Sequence, residues 1–587
     1  MTRMSATDAA VQVMLDEGVE LVFGIPGAAI LPLYKSLLKS NKIKHYSVRH
    51  EEGGTHAADG YARATGKVGV MLGTSGPAGT NMITGLYTAT ADSIPIICIT
   101  GQAPTAVLHK EAFQAVDIVG CATPVTKWSV MVKEPAQMPW VFREAFRIAQ
   151  DGRPGAVMID LPIDVQRGMI EYDAAFSAPL QRVKPTPSIA ALDRALDMLL
   201  AAARPLLMLG GGVIGANATD EFRALAEYLH IPVTITLMGK GGFPEDHPLY
   251  AGIAGIQTQT RYGNAIFLES DLVFAVGARF AERHTGDLKV YRGARKFVHI
   301  DIDSKQLGRV FEPDLGIVAD AKLALQALLE RAHARSPKYA TNWTQRVTEL
   351  RETLERRMDF DETPIKPPRV FKEINEYFDR DTIFVTAIGL YQIWSGQFQH
   401  SYQPRHYMVC GQAGPLGWEV SACTGVKLGR PDKLVVGVVG DYSFQFMVEE
   451  IAVAVQYRVP FVIVMINNGY MGLIRQAELP YEMNYAVDLA YTEGNDDGLL
   501  VDMELGMDHV KVMEAMGGLG RKVERPEDIR SALAWATHTS NTHRLPVLVE
   551  VMVEREANAA MGPAINAVKE FEPLPERAKA VAAAQTV

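Results

Sequence analysis

Six aliphatic runs in this chain each open at a proline: Pro95-Ile96-Ile97, Pro154-Gly155-Ala156-Val157, Pro205-Leu206-Leu207, Pro232-Val233-Thr234, Pro460-Phe461-Val462 and Pro546-Val547-Leu548. Proline cannot donate to a sheet's hydrogen-bond ladder and is tolerated at a strand's first residue, so each run reads as a strand with a marked start. The runs are continuous rather than alternating, as strands covered on both faces must be. Helix-compatible segments lie between them, and the expected fold is α/β, built of doubly wound parallel sheets. A chain of 587 residues exceeds what one core usually holds. Pro-rich stretches at Ala178 to Ser188 and Pro364 to Pro368 interrupt the pattern. The expected domains are therefore 1–178, 189–340 and 365–560, followed by a tail at 561–587.

Charge and cysteine usage narrow the function classes. The net charge of −10 argues against a nucleic-acid partner, which would favour basic patches. Cys98, Cys121, Cys410 and Cys423 show no Cys-x-x-Cys spacing, so burial is expected rather than metal or disulfide duty, and a reducing cytoplasm fits. The first twenty residues are amphipathic and lack the apolar core of a signal peptide, and no stretch approaches the ~18 apolar residues of a membrane span.

Chemistry enters at two strand ends. Gly440-Asp441 closes the apolar run Leu434 to Val439, and Asn467-Asn468 closes Phe461 to Ile466; Asp441 and Asn468 stand 27 residues apart. Phe446 to Arg458 carries helical apolar spacing, so the segment reads as a right-handed strand-helix-strand crossover. Its parallel strands open at one sheet edge, where ligands bind in such folds. A carboxylate and an amide oxygen placed there suit a hard cation, and Mg²⁺ takes about six oxygens while sharing its shell with a ligand's phosphates. The bland alternative is an ordinary crossover in which Asp and Asn cap a helix and a turn.

Three further motifs accompany the clamp. Glu51 follows the strand-like Ile43 to Val48 and opens a helix, within Arg49-His50-Glu51-Glu52-Gly53-Gly54-Thr55-His56. Gly73-Thr74-Ser75-Gly76-Pro77-Ala78-Gly79-Thr80-Asn81 is a glycine-rich turn after Val68 to Leu72. Gly210 to Gly215 satisfies G-x-G-x-x-G formally, but a nicotinamide site would want an acidic residue ending the next strand, about 20 residues on. That strand, Val233 to Met238, has none.

Together with Asp92-Ser93-Ile94-Pro95, Ala112 to Ile118 and Gly411 to Trp418, these motifs resemble the acetolactate-synthase group of thiamine-diphosphate enzymes, over essentially Met4 to Pro573. The resemblance implies three doubly wound domains: pyrimidine-binding, FAD-binding and diphosphate-binding. It implies that the Asp441 and Asn468 side chains and the Tyr470 carbonyl bind Mg²⁺; Tyr442 stands where the group usually has glycine or alanine. Glu51 would hydrogen-bond a pyrimidine nitrogen and so promote loss of the C2 proton. Gln114 would face the reacting carbon, and Leu416 would wedge the cofactor into its bent, near-attack shape. Ile388, Gly389, Leu390 and Tyr391 match the diphosphate-side loop, and Pro26, Thr74, Asn81, Gly414, Tyr442 and Ser443 complete the thiamine contacts. FAD would fall to Gly211, Gly212, Thr236, Leu237, Met238, Gly277, Arg279, Asp301, Ile302, Asp320 and Ala321, often without a redox part in the overall reaction. A homodimer or homotetramer with active sites between subunits follows from the same resemblance.

Several runs are similar to the glyoxylate-carboligase branch of that group: Gly411 to Trp418, His109-Lys110-Glu111, Arg283-His284-Thr285-Gly286, Gly472 to Gln476, Asp508-His509-Val510-Lys511-Val512 and the tail near Met561-Gly562. Acetolactate synthases that favour a larger second ketoacid carry tryptophan after the Arg-Gln pair, and Ala477 stands there. That branch implies decarboxylation of one glyoxylate and its joining to a second, giving tartronate semialdehyde, with Arg283 holding a substrate carboxylate. One departure stands out: the branch has valine where this chain has Glu51. The alternatives are an acetolactate-synthase-like enzyme with pyruvate as donor, a flavin-dependent pyruvate oxidase, and a cofactor-binding protein without activity. The acidic stretch Glu478 to Asp502 is a candidate lid.

Overall fold

A computed structural model of the chain describes residues 1–173, 178–335, 342–490 and 506–571. Among the described residues the strands are β1 (Thr2–Ser5), β2 (Leu21–Gly24), β3 (Lys44–Ser47), β4 (Gly69–Gly73), β5 (Ile96–Gln102), β6 (Trp128–Met131), β7 (Val157–Pro162), β8 (Met169–Tyr172), β9 (Pro205–Leu209), β10 (Val233–Ile235), β11 (Tyr250–Ile253), β12 (Leu272–Val276), β13 (Lys296–Asp301), β14 (Leu315–Val318), β15 (Ile383–Thr386), β16 (Tyr407–Val409), β17 (Val435–Gly440), β18 (Val462–Asn467), β19 (Leu519–Val523) and β20 (Val547–Met552). Apart from the antiparallel pair β1–β8, they form three six-stranded sheets, ordered β3-β2-β4-β5-β7-β6, β11-β10-β9-β12-β13-β14 and β16-β15-β17-β18-β20-β19. Every pairing within these three sheets is parallel.

The six proline-opened runs are β5, β7, β9, β10, β18 and β20, and each lies inside its sheet rather than at an edge. Their side chains are buried on both faces, which is why the runs are continuous. Strand order also fixes where ligands can sit. The first and third sheets share one order, in which successive strands turn one way and then the other between β2 and β4, and between β15 and β17. The middle sheet has the dinucleotide-binding order, with its reversal between β9 and β12. Crevices form at these reversals, beyond the strands' carboxyl ends.

The first and third sheets meet through equivalent helices, Glu51–Thr65 after β3 and Trp418–Gly429 after β16. Small residues allow the approach: a methyl on Gly60 would lie 2.6 Å from the Ala422 carbonyl oxygen, and one on Gly425 would overlap that of Ala57. Cys98, Cys410 and Cys423 are buried as expected, whereas Cys121, in a short helix beside the exposed Asp117 turn, is exposed. The described part of the tail runs back onto the middle domain, where Ala564 bridges Gly286 and Glu570 pairs with Arg356 and Arg261. No helix among the described residues is long and apolar enough to cross a membrane.

Candidate active site

The clamp residues stand at adjacent strand ends. Asp441 follows β17 and is buried; its carboxylate accepts backbone N–H groups of Tyr442 at 2.9 Å and Gly469 at 2.8 Å. Burial pushes this carboxyl up to about 6, because an enclosed negative charge loses its hydration. Asn468 and Tyr470 follow β18 and are also buried. Asn468 donates its amide N–H to the Arg555 carbonyl at 3.4 Å, leaving its oxygen for the clamp. One carboxylate, one amide and one carbonyl fit Mg²⁺ that draws its remaining oxygens from a diphosphate and water. No cluster of three His, Cys, Asp or Glu able to hold a metal occurs among the described residues.

Around Asp441 the structure gathers residues expected on the diphosphate side. Ile388 packs against Gly414, while the Tyr391 ring fills the space that a side chain on Gly389 or Gly440 would need. Gly417 donates its N–H to Ser443 Oγ at 2.9 Å, which ties the Leu416 turn to the Asp441 segment. Leu416 and Tyr442 are half-buried. Tyr442 packs edge-on against Phe446, ring centroids 5.1 Å apart.

The second half-site lies at the reversal of the first sheet. Glu51 begins its helix half-buried and accepts from Asn81 Nδ2 at 2.9 Å. Thr74 stands beside Gly27 and accepts the Ala29 N–H at 3.4 Å, bringing the Pro26 loop to the same edge. Gln114 adopts a left-handed φ of 56° and packs against Gly76. Glu51, Asn81, Thr74, Pro26 and Gln114 are thus neighbours. The clamp belongs to the third sheet. The Arg63 guanidinium stacks over Trp418 at 4.9 Å. Within one chain, Glu450 meets the turn before Glu51, and Met447, three residues earlier, packs against Gly417 beside Leu416.

All eleven residues assigned to FAD line one cavity of about 500 Å³ between the three domains. Close backbone approach makes room for it: Gly277 has φ +62°, and a methyl on Gly212 would lie 2.8 Å from its Cα. Arg153, Arg279, Arg283 and Arg405 also face the cavity. Burial lowers the Arg153, Arg283 and Arg405 guanidinium pKa values and pushes the Asp301 carboxyl up to about 6. Arg283 donates to Gln257 Oε1 at 2.6 Å and Gln392 Oε1 at 3.3 Å, both neutral groups, so its charge is available to an anion. Gln392 follows Tyr391, and Arg283 therefore borders both the cavity and the diphosphate loop.

Sequence reasoning missed Glu450. It is buried, and its Oε1 accepts the N–H groups of Arg49 at 2.8 Å and His50 at 2.9 Å, so the third domain fixes the turn that presents Glu51. The available signal was a carboxylate on the apolar face of the Phe446 to Arg458 segment. Asp92 of the Asp92-Ser93-Ile94-Pro95 motif is buried, pairs with Arg63 and Arg279, and accepts the N–H groups of Gly411 and Gln412. The expected lid lies, from residue 491 onward, outside the described residues.

A carboxylate and an amide at adjacent strand ends of one α/β module, and a helix-start glutamate on another, are the donors that a cofactor held between modules would need. Three family models match: the N-terminal TPP binding domain of thiamine pyrophosphate enzymes at residues 4–121, their central domain at 192–328 and their C-terminal TPP binding domain at 387–551. The chain belongs to the thiamine pyrophosphate enzyme family. It is 48% identical to a glyoxylate carboligase of Escherichia coli O157:H7, with 98% of each chain covered. It is 36% identical to a probable acetolactate synthase large subunit of Methanocaldococcus jannaschii, covering 93% of this chain and 92% of that one. To the acetolactate synthase large subunit of Corynebacterium glutamicum it is 36% identical, covering 94% and 88%.

Proposed function

We propose that the protein is a carboligase that decarboxylates one glyoxylate and joins the remaining unit to a second, yielding tartronate semialdehyde and CO₂. The observation that carries this reading is near-full-length similarity to a glyoxylate carboligase, in a chain that keeps the Asp441 and Asn468 strand ends. When bound, thiamine diphosphate supplies a nucleophilic carbon and takes up the charge left by departing CO₂. Asp441, Asn468 and the Tyr470 carbonyl would hold Mg²⁺ on its diphosphate, beside Ile388 to Tyr391 and Ser443. Leu416 would wedge the cofactor into its bent shape. Glu51, which accepts from Asn81, would share a proton with the pyrimidine nitrogen, and Gln114 would face the reacting carbon. Arg283 grips a substrate carboxylate through paired N–H donors.

FAD is the ligand we assign to the interdomain cavity, with Arg153, Arg279 and Arg405 offsetting its diphosphate charge. The working unit is at least a dimer located in the cytoplasm: the third domain of one chain meets the first domain of its partner. A second reading, an acetolactate-synthase-like enzyme with pyruvate as donor, is favoured by Glu51, where the carboligase branch has valine. The test is purified protein supplied with thiamine diphosphate, Mg²⁺ and FAD and offered glyoxylate or pyruvate. Tartronate semialdehyde and CO₂ from glyoxylate are expected; CO₂ from pyruvate alone would overturn the first reading.

A further inference from the structure

The Asp508-His509 run, unassigned by the reaction, lies directly beneath the clamp. His509 is 1% exposed and opens a helix capped by Asp508. Its Nδ1 donates to Glu550 Oε1 at 2.9 Å. The same oxygen accepts from Asn467 Nδ2 at 2.8 Å, and Asn467 Oδ1 in turn accepts the Gly469 N–H at 2.8 Å. That N–H is shared with Asp441 at 2.8 Å. On its other side the imidazole reaches Gln445 Nε2 at 3.4 Å, four residues beyond Asp441, and Phe444 packs edge-on against the ring. His509 therefore touches both arms of the clamp: the Asp441 arm through Gln445, and the Asn468 arm through Glu550 and Asn467.

We infer that His509 is a positioning residue that sets the separation of Asp441 and Asn468, and thereby the protein's affinity for the magnesium-diphosphate unit. A buried donor and acceptor pair joining two loops has a defined length, whereas apolar packing alone would let the strand ends slide. Glu550 has the geometry for this role, since its Oε1 receives both His509 and Asn467 and so transmits the imidazole's position to the turn. Groups that orient the ligands of a metal typically alter its affinity by about 10–100-fold when removed. The inference rests on the reading of Asp441 and Asn468 as a magnesium-thiamine diphosphate site.

The experiment measures Mg²⁺-dependent binding of thiamine diphosphate by calorimetry, in the full-length protein and in His509→Phe and His509→Asn. His509→Phe keeps a ring in the pocket and cuts both links; the Mg²⁺ concentration for half-maximal cofactor binding is expected to rise at least about tenfold. His509→Asn retains a donor towards Glu550 and is expected to recover most of that shift, which a purely packing role would not produce. Gln445→Leu, cutting only the other link, is expected to move the midpoint in the same direction by less, and it decides the matter should His509→Phe fail to fold. An unchanged Mg²⁺ midpoint in a folded His509→Phe, or in Gln445→Leu, overturns the inference alone. Absence of Mg²⁺-dependent binding by the unsubstituted protein overturns the underlying reading with it.

Discussion

His50 and Glu450 are 400 residues apart in sequence, and the Glu450 carboxylate accepts the His50 N–H at 2.9 Å. The turn before Glu51 is thus held by a buried acid whose carboxyl burial pushes up to about 7, from an ordinary 4.5. Because the folded state binds that proton more tightly than the unfolded one, the contribution of Glu450 is most favourable below about pH 4.5 and is lost as pH rises through 7. Glu450→Gln keeps an acceptor for both N–H groups without the charge. It should leave unfolding free energy unchanged near pH 4.5 and raise it by up to about 3 kcal/mol at pH 8. A difference independent of pH in urea titrations would contradict the burial account. Glu51 itself is tested by chemistry. Glu51→Gln should slow exchange of the C2 proton of bound thiamine diphosphate by about one to two factors of ten, since a charge-assisted hydrogen bond is worth about 1.5–3 kcal/mol. Unchanged exchange by NMR would remove its assigned role.

At the scale of elements, the decisive contact is that between the Glu51–Thr65 and Trp418–Gly429 helices. Gly425→Ala places a methyl on the Ala57 carbonyl oxygen and should destabilise the protein by about 1–3 kcal/mol. Gly215→Ala, where a methyl meets nothing within 4 Å, should be neutral in the same denaturation assay. Equal effects would mean that the helices can part without strain. This contact also marks how far the sequence could be read. The placement of Asp441, Asn468 and Tyr470 at two adjacent strand ends was legible because strand ends and the residues after them are neighbours along the chain. The proline-opened strands were legible because burial on both faces leaves a continuous apolar run. Glu450 and the His509–Glu550–Asn467 chain were not, since a buried polar group declares its partner only after strands distant in sequence have been laid side by side. Strand order was likewise hidden: aliphatic runs look alike whether their neighbours are β4 and β7 or β18 and β19.

For the molecule as a whole, the proposal that each site is made between two subunits makes a specific demand on assembly. Glu51→Gln and Asp441→Ala homo-oligomers should each be strongly impaired. Dissociated together and reassembled, half of the dimers are mixed, and each mixed dimer contains one intact Glu51–Asp441 site and one doubly altered site. Activity should return to roughly a quarter of the unsubstituted level. No recovery, in mixtures shown to exchange subunits, would place both residues in a site made by a single chain.

The common strand order of the first and third sheets carries a historical consequence. Their facing helices occupy the same place in each sheet, so the join within one chain is the kind of contact that a single smaller protein could have made with a second copy of itself. Gene duplication followed by fusion would turn such an ancestral homodimer into one polypeptide. The two copies were then free to diverge, one keeping the acid at its helix start and the other the metal-binding strand ends. On this view the division of labour between Glu51 and Asp441 is what remains of two once-identical crevices.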